Sequence, residues 1–304
     1  MSKSIIIYIV IFGMVSLSVK AQKKFLMLDS LTEKYSIKHY TLKTDSFYFV
    51  KGDIELYNIM PSKKGSFALI SVLPVQTYTD LWEKVNFEDI PENEVINPKS
   101  YRDYLERPLL WEKDRAPRLD LKLIKKVDGA YYISRFCLVE YFILAHHGSE
   151  LNTPRHVINT GQSLMSIREM EVVFKKNFPD HSFIMTSFFT KNFPSVMIPY
   201  GSNDYMRIYL SKVYQIHGEK AYQFWTYAPW NKSDGFAEER GIDRFLYIPE
   251  KGIVGGSYDF YFKYFSTVRT LNYHLEKRKL SELDTNQMLE NILEERIMVA
   301  EELK

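Results

Sequence analysis

The sequence predicts an α+β fold: an antiparallel β-sheet or meander with packed helices and a C-terminal amphipathic helix. Three observations predict it. Apolar and polar residues alternate with period two across much of 205–262, with turn residues between the runs. Two stretches, near 166–178 and 281–303, instead carry apolar residues three and four apart, the spacing of a helix face. The chain also holds 22 Tyr, 20 Phe and 4 Trp, and aromatic side chains suit a pleated surface.

Along the chain, Leu28, Leu31 and Tyr35 predict a short helix over 25–36. Strands are expected at 46–50, 54–59 and 66–73, with turns at Gly52-Asp53 and at Pro61 to Gly65. Residues 77–86 read as a helix, and Asn97-Pro98 reads as the start of another that runs to Arg107. The polar stretch 88–126 contains Pro91, Pro98, Pro108 and Pro117 and suits a lobe connection or a surface excursion. A turn at Val127-Asp128-Gly129 then leads into one long strand over 130–146.

Ser166-Ile167-Arg168-Glu169 has the form of a capping box, followed by an apolar stripe of Ile167, Met170, Val173 and Phe174. Strands are expected again at 183–189 and 194–198. The meander follows. One hairpin turns at His217 to Lys220, and a second turns at Pro249-Glu250-Lys251-Gly252, where Pro early and Gly late is the order that turn sterics favour. Beyond Ser281, residues Leu289, Ile292, Leu293, Ile297, Ala300 and Leu303 predict one continuous helix.

The first twenty-one residues predict an export signal. One charge near the start, an apolar run from Ile5 to Val15, and a small-residue exit ending Val19-Lys20-Ala21 are its three parts. The mature chain is then a single α+β domain over 22–304, with two lobes, 22–127 and 128–304, as the alternative. Cutting after Ala21 removes Lys3 and Lys20 and no acid, which leaves 38 basic against 38 acidic residues. That balance gives no electrostatic case for nucleic acid. The best further candidate for a membrane span, Ala130 to Ala145, is interrupted by Arg135 and Glu140, so no transmembrane segment is expected after signal cleavage. Cys137 is the single cysteine, so no internal disulfide forms, and its apolar neighbours predict a core position.

Two segments carry candidate chemistry. In Ala145-His146-His147-Gly148-Ser149-Glu150, His147 and Glu150 place an imidazole and a carboxylate within reach of one metal ion, a donor pair suited to zinc. The segment resembles the His-Gly-x-Glu loop of zinc carboxypeptidase-like amidohydrolases, including the aspartoacylase group. The resemblance implies a zinc-dependent hydrolase with His147 and Glu150 as ligands. It covers four residues, and Asn152-Thr153-Pro154-Arg155 stands where that family continues into a helix. A polar strand end is the plainer reading of the same residues.

The second segment runs from Pro229 to Gly241, between the two hairpins. Trp225, Tyr227 and Trp230 offer aromatic faces there, and Glu238 and Glu239 add carboxylates. Such a set suits ligand contact by stacking and hydrogen bonding, while adjacent acids diverge on an extended chain and so do not make the spaced pair that glycoside cleavage needs. No G-x-S-x-G elbow and no Walker loop is present. The sequence therefore predicts an exported, non-catalytic protein without a cofactor, binding a small ligand, a glycan or an envelope protein in the periplasm or outside the cell. A zinc hydrolase is the alternative.

Overall fold

The computed structural model describes residues 24–61, 65–75, 80–96, 101, 121–145, 157–177, 179–180, 208–226, 241–264, 283 and 285–304. They form three five-stranded sheets. The first sheet has the order β5-β8-β7-β1-β6 and is built from Trp82–Val85, Ala130–Ser134, Leu121–Val127, Lys24–Met27 and Val95–Ile96. The second has the order β10-β9-β4-β3-β2, from Val157–Ile158, Cys137–Leu144, Ser66–Val72, Ile54–Pro61 and Tyr35–Leu42. The third has the order β11-β12-β13-β14-β15, from Ile208–Ile216, Glu219–Thr226, Arg244–Ile248, Gly252–Ser257 and Met298–Val299.

The second sheet is the middle layer, because both of its faces are covered. Ile54, Leu56, Phe67, Leu69, Leu138 and Phe142 share a core with Phe224, Phe245, Tyr247 and Ile253 of the third sheet. Phe67 stacks on Tyr247 with ring centroids 6.2 Å apart, and Phe142 meets Phe245 edge-on at 5.3 Å. The opposite face, with Tyr57, Ile59, Ala68, Ile70, Val72, Cys137 and Val139, packs with Leu26, Leu121 and Leu123 of the first sheet. A sheet covered on both sides calls for strands that are apolar at successive positions. β4 (Ser-Phe-Ala-Leu-Ile-Ser-Val) and β9 (Cys-Leu-Val-Glu-Tyr-Phe-Ile-Leu) have that character.

The expected helix-packed α+β arrangement is not the one the chain adopts. Among the described residues 49% are strand against 23% helix, and the helices are short, so the fold is mostly β. Each departure has a local cause. Residues 82–85, expected in a helix, form β5 because they pair with β8 from Trp82–Ser134 to Val85–Tyr131. Residues 25–36 divide into β1, one helical turn and the start of β2. The expected strand at 46–50 is instead a single turn, Asp45–Tyr48, closed by Phe49 at φ 54°.

The long strand expected over 130–146 breaks at Arg135-Phe136, and its halves join different sheets. At the break, the Arg135 amide donates to the Leu81 carbonyl at 2.9 Å, while the Phe136 carbonyl accepts from Leu73 at 3.2 Å. Strands from both sides of residue 127 share sheets, since β7 pairs with β8 and β4 pairs with β9.

The meander is as the alternation predicts, with β11 through β14 antiparallel in chain order. The segment after Ser257 then turns into a helix, Asp259–Tyr264. The capping box also forms. The Ser166 amide donates to Glu169 Oε2 at 2.7 Å, and the Glu169 amide donates to Ser166 Oγ at 3.2 Å. The Ile167–Asn177 helix that follows buries Ile167, Met170 and Phe174, and leaves Val173 partly exposed.

The tail helix is shorter than its apolar stripe predicts. It spans Thr285–Leu293, Glu295 takes φ 55°, and Met298–Val299 extends as β15 along β14. Among the described residues no helix is long and apolar enough to cross a membrane.

Candidate functional site

The aromatic excursion between the hairpins leaves β12 after Thr226 and returns at Gly241, just before β13. Its two ends are tied to each other and to the sheets beneath. The Thr226 amide donates to the Asp243 carbonyl at 2.8 Å, and its hydroxyl donates to the Ile242 carbonyl at 3.4 Å. The Asp243 amide donates to the Ser257 carbonyl at 2.8 Å, which joins the returning end to β14.

From the middle sheet, Glu140 Oε2 accepts the Ile242 amide at 2.9 Å. Gly241 lies against the same carboxylate so closely that a β-carbon there would sit 2.0–2.2 Å from its atoms. An absent side chain at 241 is what lets the carboxylate reach the backbone.

A buried polar network continues from this base. Arg244 and Asp259 form an ion pair at 2.5 Å with side chains 1% and 2% exposed. Arg244 Nε also donates to the Arg296 carbonyl at 3.0 Å. Burial opposes the Arg244 charge, but the nearby Asp259 carboxylate more than offsets it and raises the guanidinium pKa. The Tyr48 hydroxyl donates to Asp259 Oδ1 at 3.0 Å and accepts the Tyr258 amide at 2.6 Å. Burial first, and then the Asp259 charge, push the Tyr48 hydroxyl well above its ordinary pKa. The Tyr258 hydroxyl meets Ser71 Oγ of β4 at 2.5 Å. Each ionised group here is held by an opposite charge or a hydrogen bond, and the network ties β4, β13 and the Asp259–Tyr264 helix together.

Of the residues predicted to contact ligand, Trp225 lies in the core. Its side chain is fully buried, stacks on Tyr209 with centroids 4.7 Å apart, and donates Nε1–H to the Met165 carbonyl at 2.8 Å. It therefore pins the segment before the Ile167–Asn177 helix to the third sheet. Tyr227, Trp230, Glu238 and Glu239 lie outside the described residues, as do the metal candidates His147 and Glu150. Among the described residues no group of three or more His, Cys, Asp or Glu is placed to hold a metal ion. Cys137 is buried and donates Sγ–H to the Leu121 carbonyl at 3.1 Å, and burial pushes its thiol up to about 11. That keeps it protonated and inert near neutral pH.

A second cluster, which the sequence reading missed, lies on the seam between the first and middle sheets. Glu55 accepts from Tyr57 and, at 2.8 Å, from the indole of Trp82. His39 Nε2 and Lys125 Nζ both lie 3.3 Å from its Oε2. His39 stacks on Tyr57 at 4.6 Å, and the Lys125 ammonium sits 3.8 Å from the Trp82 ring centroid, a cation–π contact.

Burial opposes ionisation of Glu55, but hydrogen bonds from His39, Tyr57 and Trp82 outweigh it and bring the carboxyl down to about 2. Burial, then the Glu55 charge, raise the Tyr57 hydroxyl. Burial lowers Lys125 despite the opposing pull of Glu55. A carboxyl already ionised at pH 3 cannot act as a general acid near neutrality, and a phenol raised this way is a poor base. The cluster works as a charged clamp between two layers.

The described residues form a three-layer β protein with a buried polar network around Ile242, Arg244 and Asp259. Comparison with family models, with curated proteins and with solved structures gives no match.

Proposed function

We propose that the chain is an exported, non-catalytic binding protein that takes its ligand or envelope partner through the excursion at 227–240. The observation that carries this reading is the anchoring of the excursion's two ends. Binding residues are commonly displayed on loops positioned by a rigid scaffold. Here Thr226, Ile242 and Asp243 are tied to one another, to β14 and to the middle sheet. The segment they support contains Tyr227, Trp230, Glu238 and Glu239, a set of aromatic faces and hydrogen-bond acceptors suited to a glycan, a small flat ligand or an envelope protein. Export is inferred from the order of charge, apolar run and small-residue exit over residues 1–21.

The test has two parts. Protein recovered from the periplasm or medium is expected to begin at Gln22; an intact Met1 on the recovered chain defeats the export reading. A panel of glycans and small aromatic ligands is then screened by thermal shift. Trp230→Ala is expected to abolish the shift produced by a hit while leaving the melting temperature of the free protein unchanged. Undiminished binding by that variant removes the excursion as the site.

A further inference from the structure

We infer that the protein holds a buried site for one water molecule between Arg244, Ser257 and Asp259, a structural ligand that joins β13, β14 and the Asp259–Tyr264 helix. The assignment is independent of the binding reading above. Arg244 and Ser257 stand directly opposite each other across β13 and β14, and side chains so opposed lie on one face of a sheet. Asp259 follows Ser257 by two residues and meets Arg244 Nη1 at 2.5 Å. All three residues are buried, Ser257 completely.

The hydrogen bonding of this trio is incomplete. The guanidinium spends Nε on the Arg296 carbonyl and Nη1 on Asp259. Its Nη2 and the Ser257 Oγ are both shut off from bulk solvent, and neither has a hydrogen-bond partner among the described residues. A charged donor left unmade in the interior costs more than a neutral one. Unpartnered polar atoms on two opposed residues, beside a buried ion pair, mark the place of a small internal ligand.

The charges select that ligand. Arg244 repels a cation. Asp259 and Asp243 both act on the Arg244 charge, so an anion beside the guanidinium would meet two carboxylates. Nη2 only donates, Asp259 Oδ2 only accepts and keeps a lone pair for a further donor, and Ser257 Oγ does either. A neutral molecule that accepts from Nη2 and donates to Oδ2, with Oγ as its third partner, completes the set. Water is the smallest molecule that does so, and a buried water ordinarily makes about three hydrogen bonds.

A high-resolution crystal structure of the full chain tests the site directly. A density peak is expected within about 3.2 Å of both Arg244 Nη2 and Ser257 Oγ. Either atom bonded to a protein group instead, or packed against apolar atoms with no peak, overturns the site. A bromide soak is expected to give no anomalous signal there; a bromide peak makes the ligand an anion and overturns the assignment of water. In solution, magnetic relaxation dispersion of water oxygen counts long-lived internal waters. Ser257→Val puts a methyl group where the hydroxyl stood and is expected to hold one water fewer than wild type. Equal counts overturn the proposal, and if Ser257→Val fails to fold, the wild-type crystal and its bromide soak decide.

Discussion

Asn58 closes hydrogen bonds with both backbone polar groups of one distant residue, Ile253. Its Nδ2 donates to the Ile253 carbonyl at 2.9 Å, and its Oδ1 accepts the Ile253 amide at 2.8 Å. Asn58 belongs to the middle sheet and Ile253 to the third, so the side-chain amide acts as a strand turned sideways. Gly252 makes room for it: a β-carbon there would lie 2.5 Å from Oδ1. Glu140 and Gly241 repeat the device elsewhere on the same interface. Two polar residues, each paired with a glycine, thus set the register of layers whose apolar packing alone would tolerate sliding.

Replacing Asn58 with Leu is expected to cost about 2–4 kcal/mol, because the Ile253 amide and carbonyl are left buried without partners. Urea denaturation measures it. A loss below about 0.5 kcal/mol, the size of an ordinary surface substitution, would mean that apolar packing sets the register.

The Arg244–Asp259 pair is expected to behave as a buried ion pair. Arg244→Met alone leaves Asp259 uncompensated beside Tyr48 and is expected to lose about 3–5 kcal/mol. The double variant with Asp259→Leu should recover a large part of that loss, and a denaturant double-mutant cycle gives the coupling. Additive losses would contradict the assignment.

Acid should loosen the seam between the first and middle sheets. The Glu55 carboxyl is at about 2 in the fold against 4.5 ordinarily. Its folded value is depressed, so its contribution is complete above about pH 4.5 and disappears as the pH falls toward 2. The shift corresponds to roughly 3 kcal/mol. Stability measured from pH 6 to pH 2 should fall less steeply in Glu55→Gln than in wild type, and parallel curves would refute the clamp.

The tail helix and the Ile167–Asn177 helix share a cap. Glu295 Oε1 accepts the Ile167 amide at 2.6 Å from beyond the end of the Thr285–Leu293 helix. Glu295→Ala is expected to cost about 1–2 kcal/mol. Hydrogen exchange should rise first at Ile167 and its neighbours; unchanged protection there would assign the cap to Ser166 alone.

Purified, unchelated protein is expected to contain far less than one zinc per chain. Stoichiometric zinc that is lost in His147→Ala would replace the binding reading with the hydrolase that the His-Gly-x-Glu resemblance implies.

Period-two alternation from Ile208 to Leu210 and the capping pattern at Ser166 translated directly into structure, because both are local. Trp82 and Val85 lie three apart, the spacing of one helix face, and pairing with Ser134 and Tyr131 across the sheet overrides it. Ile297, Ala300 and Leu303 continue the helical stripe of the tail, yet no glycine marks the stop at Glu295, where the backbone turns left-handed. Trp225 illustrates a different limit. Alternation shows that it faces away from Phe224, but not that a further layer covers that side. The seam cluster was invisible for a related reason: His39, Glu55, Trp82 and Lys125 come from four strands in two sheets.

The third sheet is completed by β15, and the residues just after it reach back to the start of the fold. The Ala300 amide donates to the Val254 carbonyl at 2.9 Å, and Glu302 accepts the Thr41 amide across 261 residues of sequence. A chain emerging from the ribosome therefore carries an open sheet margin until residues 298–302 have been made. Such a nascent chain finds its last partners late and remains open to mispairing or to a chaperone in the meantime.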